Sequence, residues 1–288
     1  MEKFIITTDV TADLPKNYLE ENGIGLLPMT FEIDGKEYSE DNFDTKDFYN
    51  KMRKGLMPKT SQVNSEKAKE KFREYLIKGY NVLHISFSSG LSGSYNSTRI
   101  ASIELQDEFK ENRVFVVDSL CASLGEGLLV HKAVQLKNNG QSIEEIIDWI
   151  EANKLHICHY VTVDDLNHLY RGGRVSKTTA IIGTMIGVKP IIKVDDEGHL
   201  IPIAKSRGRK KSLNMLVDKM EELIESYKSQ NDIIFISHGD AEEDAEYVAK
   251  KIEERFNIKS FLINSIGSVV GSHSGPGTIA LFFMGEKR

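Results

Sequence analysis

Short apolar runs that end in small polar residues and lead into amphipathic segments recur along this chain, and that alternation constrains its fold more than any other feature. Residues 4–7 run into DVTADLP and a helix expected over 16–22, with Asp13 placed to cap it and Pro15 near its first turn. Residues 82–87 lead to SSGLSGS and a helix over 95–109, while residues 114–117 lead to DSLCASLGEG and a helix ending near Gly140. Such repetition predicts an α/β fold with a largely parallel sheet. Ser142 and Glu145 have capping-box spacing ahead of IIDWI, so a further helix closes this half near Lys154.

The second half has a different texture. Residues 161–163 lead into the helical DDLNHLY, which Gly172 and Gly173 stop, and KPIIKVDDEGHLIPIAKS reads as two strands joined at 195–198. That hairpin implies antiparallel pairing. A helix over 213–227, a strand over 233–237, a helix over 240–256 and strands over 260–264 and 278–284 complete the chain. At 288 residues the chain is long for one compact domain. The expectation is therefore an N-terminal Rossmann-like α/β lobe over 1–157, a C-terminal mixed α/β lobe over 158–288, and a ligand in the cleft between them.

Composition narrows the function. The 37 Lys and Arg fall short of the 43 Asp and Glu, which argues against a general nucleic-acid binder because affinity for phosphate backbones comes from clustered cations. Cys121 and Cys158 lie far apart in apolar segments without a CxxC spacing, so both read as reduced, buried thiols. MEKFIITTDV lacks the apolar core of a secretory signal, and no apolar run approaches the roughly 18 residues of a membrane span. A soluble, cytoplasmic protein without stable membrane insertion is expected.

The sharpest candidate for chemistry is Ser88-Ser89-Gly90-Leu91-Ser92-Gly93-Ser94, between a buried strand and a helix. Its glycines allow a tight turn, the helix start offers free N–H groups, and serine hydroxyls add uncharged donors, all of which suit a carboxylate or phosphate. A plain Gly/Ser loop capping a helix reads equally well. Thr60-Ser61-Gln62 is a second hydroxyl cluster, readable as a cap for the helix at 65–78. In Gly271-Ser-His273-Ser-Gly275-Pro276-Gly277, an imidazole on a glycine-rich loop is a donor for an anion, a base, or a solvated side chain.

Arg171-Gly-Gly-Arg174 offers guanidinium forks for carboxylate or phosphate oxygens, or simply cations at a helix C-terminus. SRGRKKS, residues 206–212, places four cations ahead of a helix, where the dipole disfavours them; a solvated surface is the commoner explanation, and local compensation, an anionic ligand or a partner surface gains weight. Asp9, Asp118 and Asp240 each end an expected strand, where helix capping or loop bracing accounts for them. His156 and His159 are spaced for a strand, and no HExxH occurs, so no metal and no cofactor is assigned.

Taken in order, TTDVTADLP, KTSQ, SSGLSGSYNS, VVDS, DDLNHLYRGGRVS, VKPIIKV, HGDA and GSHSGPGT closely resemble the DegV family, over essentially the whole chain. The resemblance implies two α/β lobes with a long-chain fatty acid buried between them. It implies the role of the acid-binding subunit of a bacterial fatty acid kinase, which presents the acid to a separate ATP-dependent kinase subunit and carries away the acyl phosphate. Through the matching motifs, Thr60, Ser92 and His273 become carboxylate donors, with Ser61 and Gly93 beside them in the ligand site. Arg171 or Arg174 would steady the head group, and Arg207, with Arg174, would face the kinase or its phosphate. The chain departs from the family pattern at Val10, where Ser is frequent, and at Val63, where Pro commonly follows TSQ; Val63 is expected to relax the loop holding Thr60.

No turnover by the chain itself is expected. The rival reading is a serine hydrolase of acyl esters or acyl phosphates using Ser92, His273 and an Asp, although Gly90-Leu-Ser92-Gly93 sets its second glycine one residue too early for a GxSxG elbow. A regulatory module binding nucleic acid through SRGRKK is the third.

Overall fold

Three β-sheets organise the described residues, 3–40, 43–176 and 187–288, of the computed structural model. The chain opens with β1 (Phe4–Asp9), a 3-10 turn at Val10–Ala12 and helix α1 (Lys16–Glu21). β2 (Gly25–Leu27) lies parallel to β1, and β3 (Thr30–Ile33) forms a hairpin with β4 (Lys36–Ser39). After α2 (Thr45–Arg53), β5 (Lys59–Thr60) pairs with the other edge of β3. Next come α3 (Ser65–Ile77), β6 (Asn81–Ser86), α4 (Ser94–Glu108) and β7 (Val114–Asp118), then α5 (Leu124–Asn138) and α6 (Ile143–Asn153). The second half contains β8 (Ile157–Thr162), α7 (Asn167–Arg171), β9 (Val188–Val194), β10 (Leu200–Arg207), α8 (Arg209–Leu223), β11 (Ile234–His238), α9 (Glu242–Phe256), β12 (Phe261–Ser265), α10 (Ser268–Ser274) and β13 (Ile279–Met284).

The first large sheet has order β2-β1-β6-β7 and is parallel throughout, as the strand–loop–helix alternation predicts. The second has order β10-β9-β8-β13-β11-β12; only β11 and β12 are parallel. The small antiparallel sheet β4-β3-β5 was not anticipated, although Asp34-Gly35 is a strong hairpin signal, and both residues take positive φ (56° and 70°) in the turn.

Residue alternation divides the six-stranded sheet cleanly. Tyr160, Ile191, Ile236, Leu281 and Phe283 face the core beneath α8 and α9, while Ile157, Phe235, Ala280, Phe282 and Met284 face the opposite core, built around α5. Helix α5 touches β1 and β6 of the parallel sheet and β8, β11 and β13 of the mixed sheet. Ten of its fifteen residues are buried, so it has no broad solvent face and its sequence shows no amphipathic stripe. Two glycines permit this: a Cβ on Gly127 would lie 2.8 Å from the carbonyl oxygen of Ala12, and one on Gly125 would collide with the His159 ring.

Several expectations are corrected. Asp13 does not cap α1; it sits in the left-handed region (φ 52°) and its carboxylate accepts the Ser123 hydroxyl and the Gly267 N–H (2.9 Å). Helix α8 begins four residues earlier than expected, at Arg209, and a 3-10 segment (Glu225–Gln230) follows it. Of the four cations in SRGRKKS, Arg209 is compensated locally, bridging to Asp244 (2.8 Å) and Asp164 (3.4 Å). Asp9 and Asp118 brace loops, accepting from Phe87 N–H and from Ser89 and Leu120 N–H, while Asp240 pairs with Arg53. Both cysteines are free and buried, and burial pushes their thiols up to about 11 for Cys121 and about 12 for Cys158.

Arg288 is the unexpected staple. Its buried guanidinium donates to the carbonyls of Leu120 (2.7 Å), Lys154 (2.6 Å), Ile157 (3.2 Å) and Asp195 (3.2 Å), and to the Cys121 sulfur.

Leu129→Ala, in the fully buried middle of α5, is expected to lower unfolding stability by about 2–5 kcal/mol in urea titration. Burial raises the Asp13 pKa from 3.8 to about 7, so the folded state holds the extra proton and stability falls as pH rises through that window, then levels off. Asp13→Asn should remove this slope, its stability relative to the unsubstituted protein being greater at pH 8 than at pH 4.

Candidate ligand-binding site

A cavity of about 210 Å³ lies where the loops of the parallel sheet meet the mixed sheet, with residues from both sides of position 157 in its wall. Its apolar side follows from strand register. Val161 sits between Ala280 of β13 and Ile192 of β9, on the same face as Phe282 and Val194, while α10 and the segment before it add Ile266, Val269 and Val270.

Thr11, Ser123 and His159, polar residues of that wall, are satisfied by protein, whereas the buried Ser274 Oγ has no partner. Thr11 donates to Glu126 (3.1 Å) and Ser123 to Asp13, while His159 accepts the Ala122 N–H at Nε2 (3.2 Å) and bonds the Ile157 carbonyl through Nδ1 (2.9 Å). Burial, reinforced by Arg288, holds His159 well below the ordinary imidazole range, so it lines the cavity as a neutral ring. Burial likewise raises Glu126 well above the usual carboxylate range, with Asp9 adding to the effect. The result is an apolar surface with its hydrogen bonds turned away.

The polar groups with capacity left for a ligand come from three separate segments, of which the expected glycine-rich loop around His273 is helical over Ser268–Ser274. Thr60, at the end of β5, and His273, on α10, are joined by a 2.8 Å contact between Oγ1 and Nε2. Their separation in sequence is closed by the docking of α10, which Tyr49 helps fix by donating to the Ile266 carbonyl (2.9 Å) and Asp13 by accepting from Gly267. Burial, with the adjacent Arg174 charge, lowers the His273 pKa to about 4, so the ring is neutral at pH 7. Its Nδ1 is buried without a partner against Gly172, where a Cβ would collide with the ring. We assign the proton to Nε2, since an unpaired buried donor at Nδ1 is costly; Thr60 then accepts from the imidazole and keeps its own proton for a ligand.

Ser92 also lines the cavity, its Oγ 2.9 Å from Ser94 Oγ. The other loop serines serve structure: Ser88 donates to the Gly198 carbonyl (2.9 Å), and the Ser89 N–H is held by Asp118. Ser61 and Gly93 line the cavity, and the end of the Gln62 side chain packs against Gly93. Gln62, whose Nε2 donates to Ser97 (2.9 Å), lines it too. The Ser92–His273 pair that a hydrolase would use is not formed, as each is bonded to a different partner.

The arginines separate. Arg174 lines the cavity and braces the serine loop, its Nε donating to the Leu91 carbonyl (3.0 Å) and its Nη1 to that of Gly172. Arg171 lies outside it, exposed, packed on Met57 and lining an adjoining hollow with Lys59, His168 and Arg174. Arg207 is exposed on β10 and lines neither space. Val63 does not act as expected: its N–H, which proline would lack, donates to Ser94 Oγ (3.0 Å) and ties down the segment after Thr60. Sequence reading missed His159, Ser123 and Arg288. His159 carried a usable signal, an imidazole in phase with the inward residues of an apolar strand, whereas nothing local marks Arg288 as buried. Among the described residues no group of His, Cys, Asp and Glu is arranged to hold a metal ion, and no helix is long and apolar enough to cross a membrane.

The family model described as an uncharacterised protein of the DegV family matches residues 3–286. A DegV domain-containing protein of Clostridium perfringens is 48% identical, covering 100% of this chain and 99% of its own. A crystal structure of DegV from Bacillus subtilis, described as a fatty acid binding protein, superposes with a TM-score of 0.85 at 30% identity, covering 99% of this chain and 100% of its own. A stearic acid-binding protein from Eubacterium ventriosum superposes with a TM-score of 0.91 at 26% identity, over 98% of each chain.

Gly172→Ala is expected to drive the His273 ring off Thr60 into solvent, and NMR titration should find its pKa moved from about 4 toward 6.5.

Proposed function

Because the chain belongs to the DegV family, we propose that it binds one long-chain fatty acid, with the tail along the apolar wall of the cavity and the carboxylate at Thr60, Ser92 and His273. The observation that carries this reading is that an apolar wall and the hydroxyls of Thr60 and Ser92, beside His273, line one cavity. Burying an ionised carboxylate is costly unless hydrogen bonds replace water. Hydroxyl donors supply them without the permanent charge of an arginine clamp, and Arg174 stands close enough to favour the anion while its own bonds go to backbone carbonyls. Each methylene withdrawn from water contributes about 0.8 kcal/mol, so the tail supplies affinity and the hydroxyls supply orientation. The fatty-acid ligands named for the Bacillus subtilis and Eubacterium ventriosum proteins support the same reading.

We further propose that the bound acid is presented to a separate ATP-dependent kinase subunit and leaves as the acyl phosphate, the chain itself performing no turnover. Uncharged donors favour this role because they leave a carboxylate oxygen able to attack ATP. Arg171, exposed beside the head group, and Arg207, exposed on β10, are the cations proposed to meet the kinase or its phosphate.

Mass spectrometry of ligand extracted from protein purified without detergent should find long-chain fatty acid at near-stoichiometric amount; an empty or polar-ligand protein would overturn the binding role. Thr60→Val and Ser92→Ala should each weaken fatty-acid binding by about tenfold to a hundredfold, the loss of one hydrogen bond to a charged group. Acyl phosphate should form only when this protein, the kinase subunit, ATP and Mg²⁺ are combined.

A further inference from the structure

We propose that Ser94 is a positioning residue that makes Ser92 a hydrogen-bond donor toward the ligand carboxylate, taking its own orientation from the backbone N–H of Val63; this rests on the fatty-acid-binding reading above. A serine hydroxyl carries one proton and two lone pairs, so its direction is decided by what surrounds it. Ser94 Oγ is buried and accepts the Val63 N–H at 3.0 Å. Two acceptors compete for its proton: Ser92 Oγ at 2.9 Å, and the Met29 sulfur, a weak acceptor, at 3.9 Å. Oxygen wins on both distance and strength. Ser92 Oγ also receives the Ser94 N–H at 3.2 Å, so both of its lone pairs are engaged. Among the described residues Ser92 then has no acceptor left for its own proton, and the hydroxyl lines the cavity.

The opposite polarity, with Ser92 donating to Ser94 and Ser94 to Met29, would turn lone pairs toward the ligand. A carboxylate, which only accepts, disfavours it. An anion therefore selects the order Val63 N–H, Ser94 O–H, Ser92 O–H, carboxylate, and donors in series polarise one another. The source of the polarity is rigid. Val63 precedes the Asn64 cap of α3 and buries its side chain in the core containing Leu27 and Phe72, which holds its N–H in place. Gln62 bonds Ser97 one turn farther along α4, so the segment after Thr60 is tied to the serine helix twice. The same ties keep Thr60 and Ser92 at a set separation, and Thr60 is backed by the His273 N–H as Ser92 is by Ser94.

The test compares sodium palmitate with 1-hexadecanol, whose hydroxyl can donate as well as accept and so is indifferent to this polarity. In the full chain, Ser94→Ala is expected to weaken palmitate about tenfold, leave hexadecanol within about twofold, and cause no further loss of palmitate affinity in a Ser92→Ala background. The carboxyl of bound ¹³C-labelled palmitate should titrate at higher pH in Ser94→Ala, because a polarised donor has been lost. Equal losses for acid and alcohol, or losses that add in the double variant, would mean that Ser94 only packs the loop and would overturn the inference. Palmitate binding unaffected by Ser94→Ala would overturn it alone, whereas absence of palmitate binding by the unsubstituted protein would overturn the fatty-acid reading and this inference together.

Discussion

Burial of α5 between two sheets is the constraint on which the rest of the structure depends. A helix that touches strands on both sides buries most of its surface, so that polar side chains such as Glu126 and Lys132 need partners and side chains are lost wherever backbone or rings come closest. Gly125 and Gly127 meet the second requirement at the helix start, against His159 of one sheet and the Ala12 carbonyl beside the other. Because α5 cannot fill the full breadth between the layers, space remains beyond its N-terminal end. That space is the cavity, and Ala122 and Ser123, which lead into α5, are part of its wall.

The polar groups around that space are managed by direction rather than by exclusion. Thr11, Ser123 and His159 line an apolar cavity without wetting it because each spends its hydrogen bonds on the protein behind it. Thr60 and Ser92 differ in being paired with groups able to donate, so that with the assigned His273 tautomer and the inferred Ser94 polarity both keep a proton for a ligand. The same residue types thus serve as wall at one place and, in the proposed reading, as head-group donors at another, and what distinguishes them is whether the neighbouring atom is able to donate. Neutral imidazoles suit both uses, since burial lowers the pKa of His159 and His273 alike.

Much of this was legible in the sequence because it depends on neighbours along the chain. Ser142 and Glu145 form the capping box their spacing predicts, and the 195–198 turn joins antiparallel strands. The segments holding Thr60, Ser92 and His273 stood out as hydroxyl, glycine and imidazole clusters, although the one around His273 proved helical rather than a loop. Other features were misread for a reason common to them all. Asp13 looks like a helix cap because Asp before Leu-Pro usually is one, yet its partners, Ser123 and Gly267, lie more than a hundred residues away. Val63 reads as a loosened proline position until Ser94 is brought to its N–H.

Local pattern in this chain determined most of the elements and their order, the parallel character of the first sheet, and three segments rich in hydroxyl and imidazole groups. Periodicity and capping act over a few residues, so a linear string carries them in full. Tertiary structure alone decided which side chains line one cavity, that Arg174 enters it while Arg171 and Arg207 stay outside, and that Arg288 is buried among four carbonyls from three segments. Hydrogen bonds reach only about 3 Å and are indifferent to sequence separation, so their partners are known only once packing has brought distant segments together.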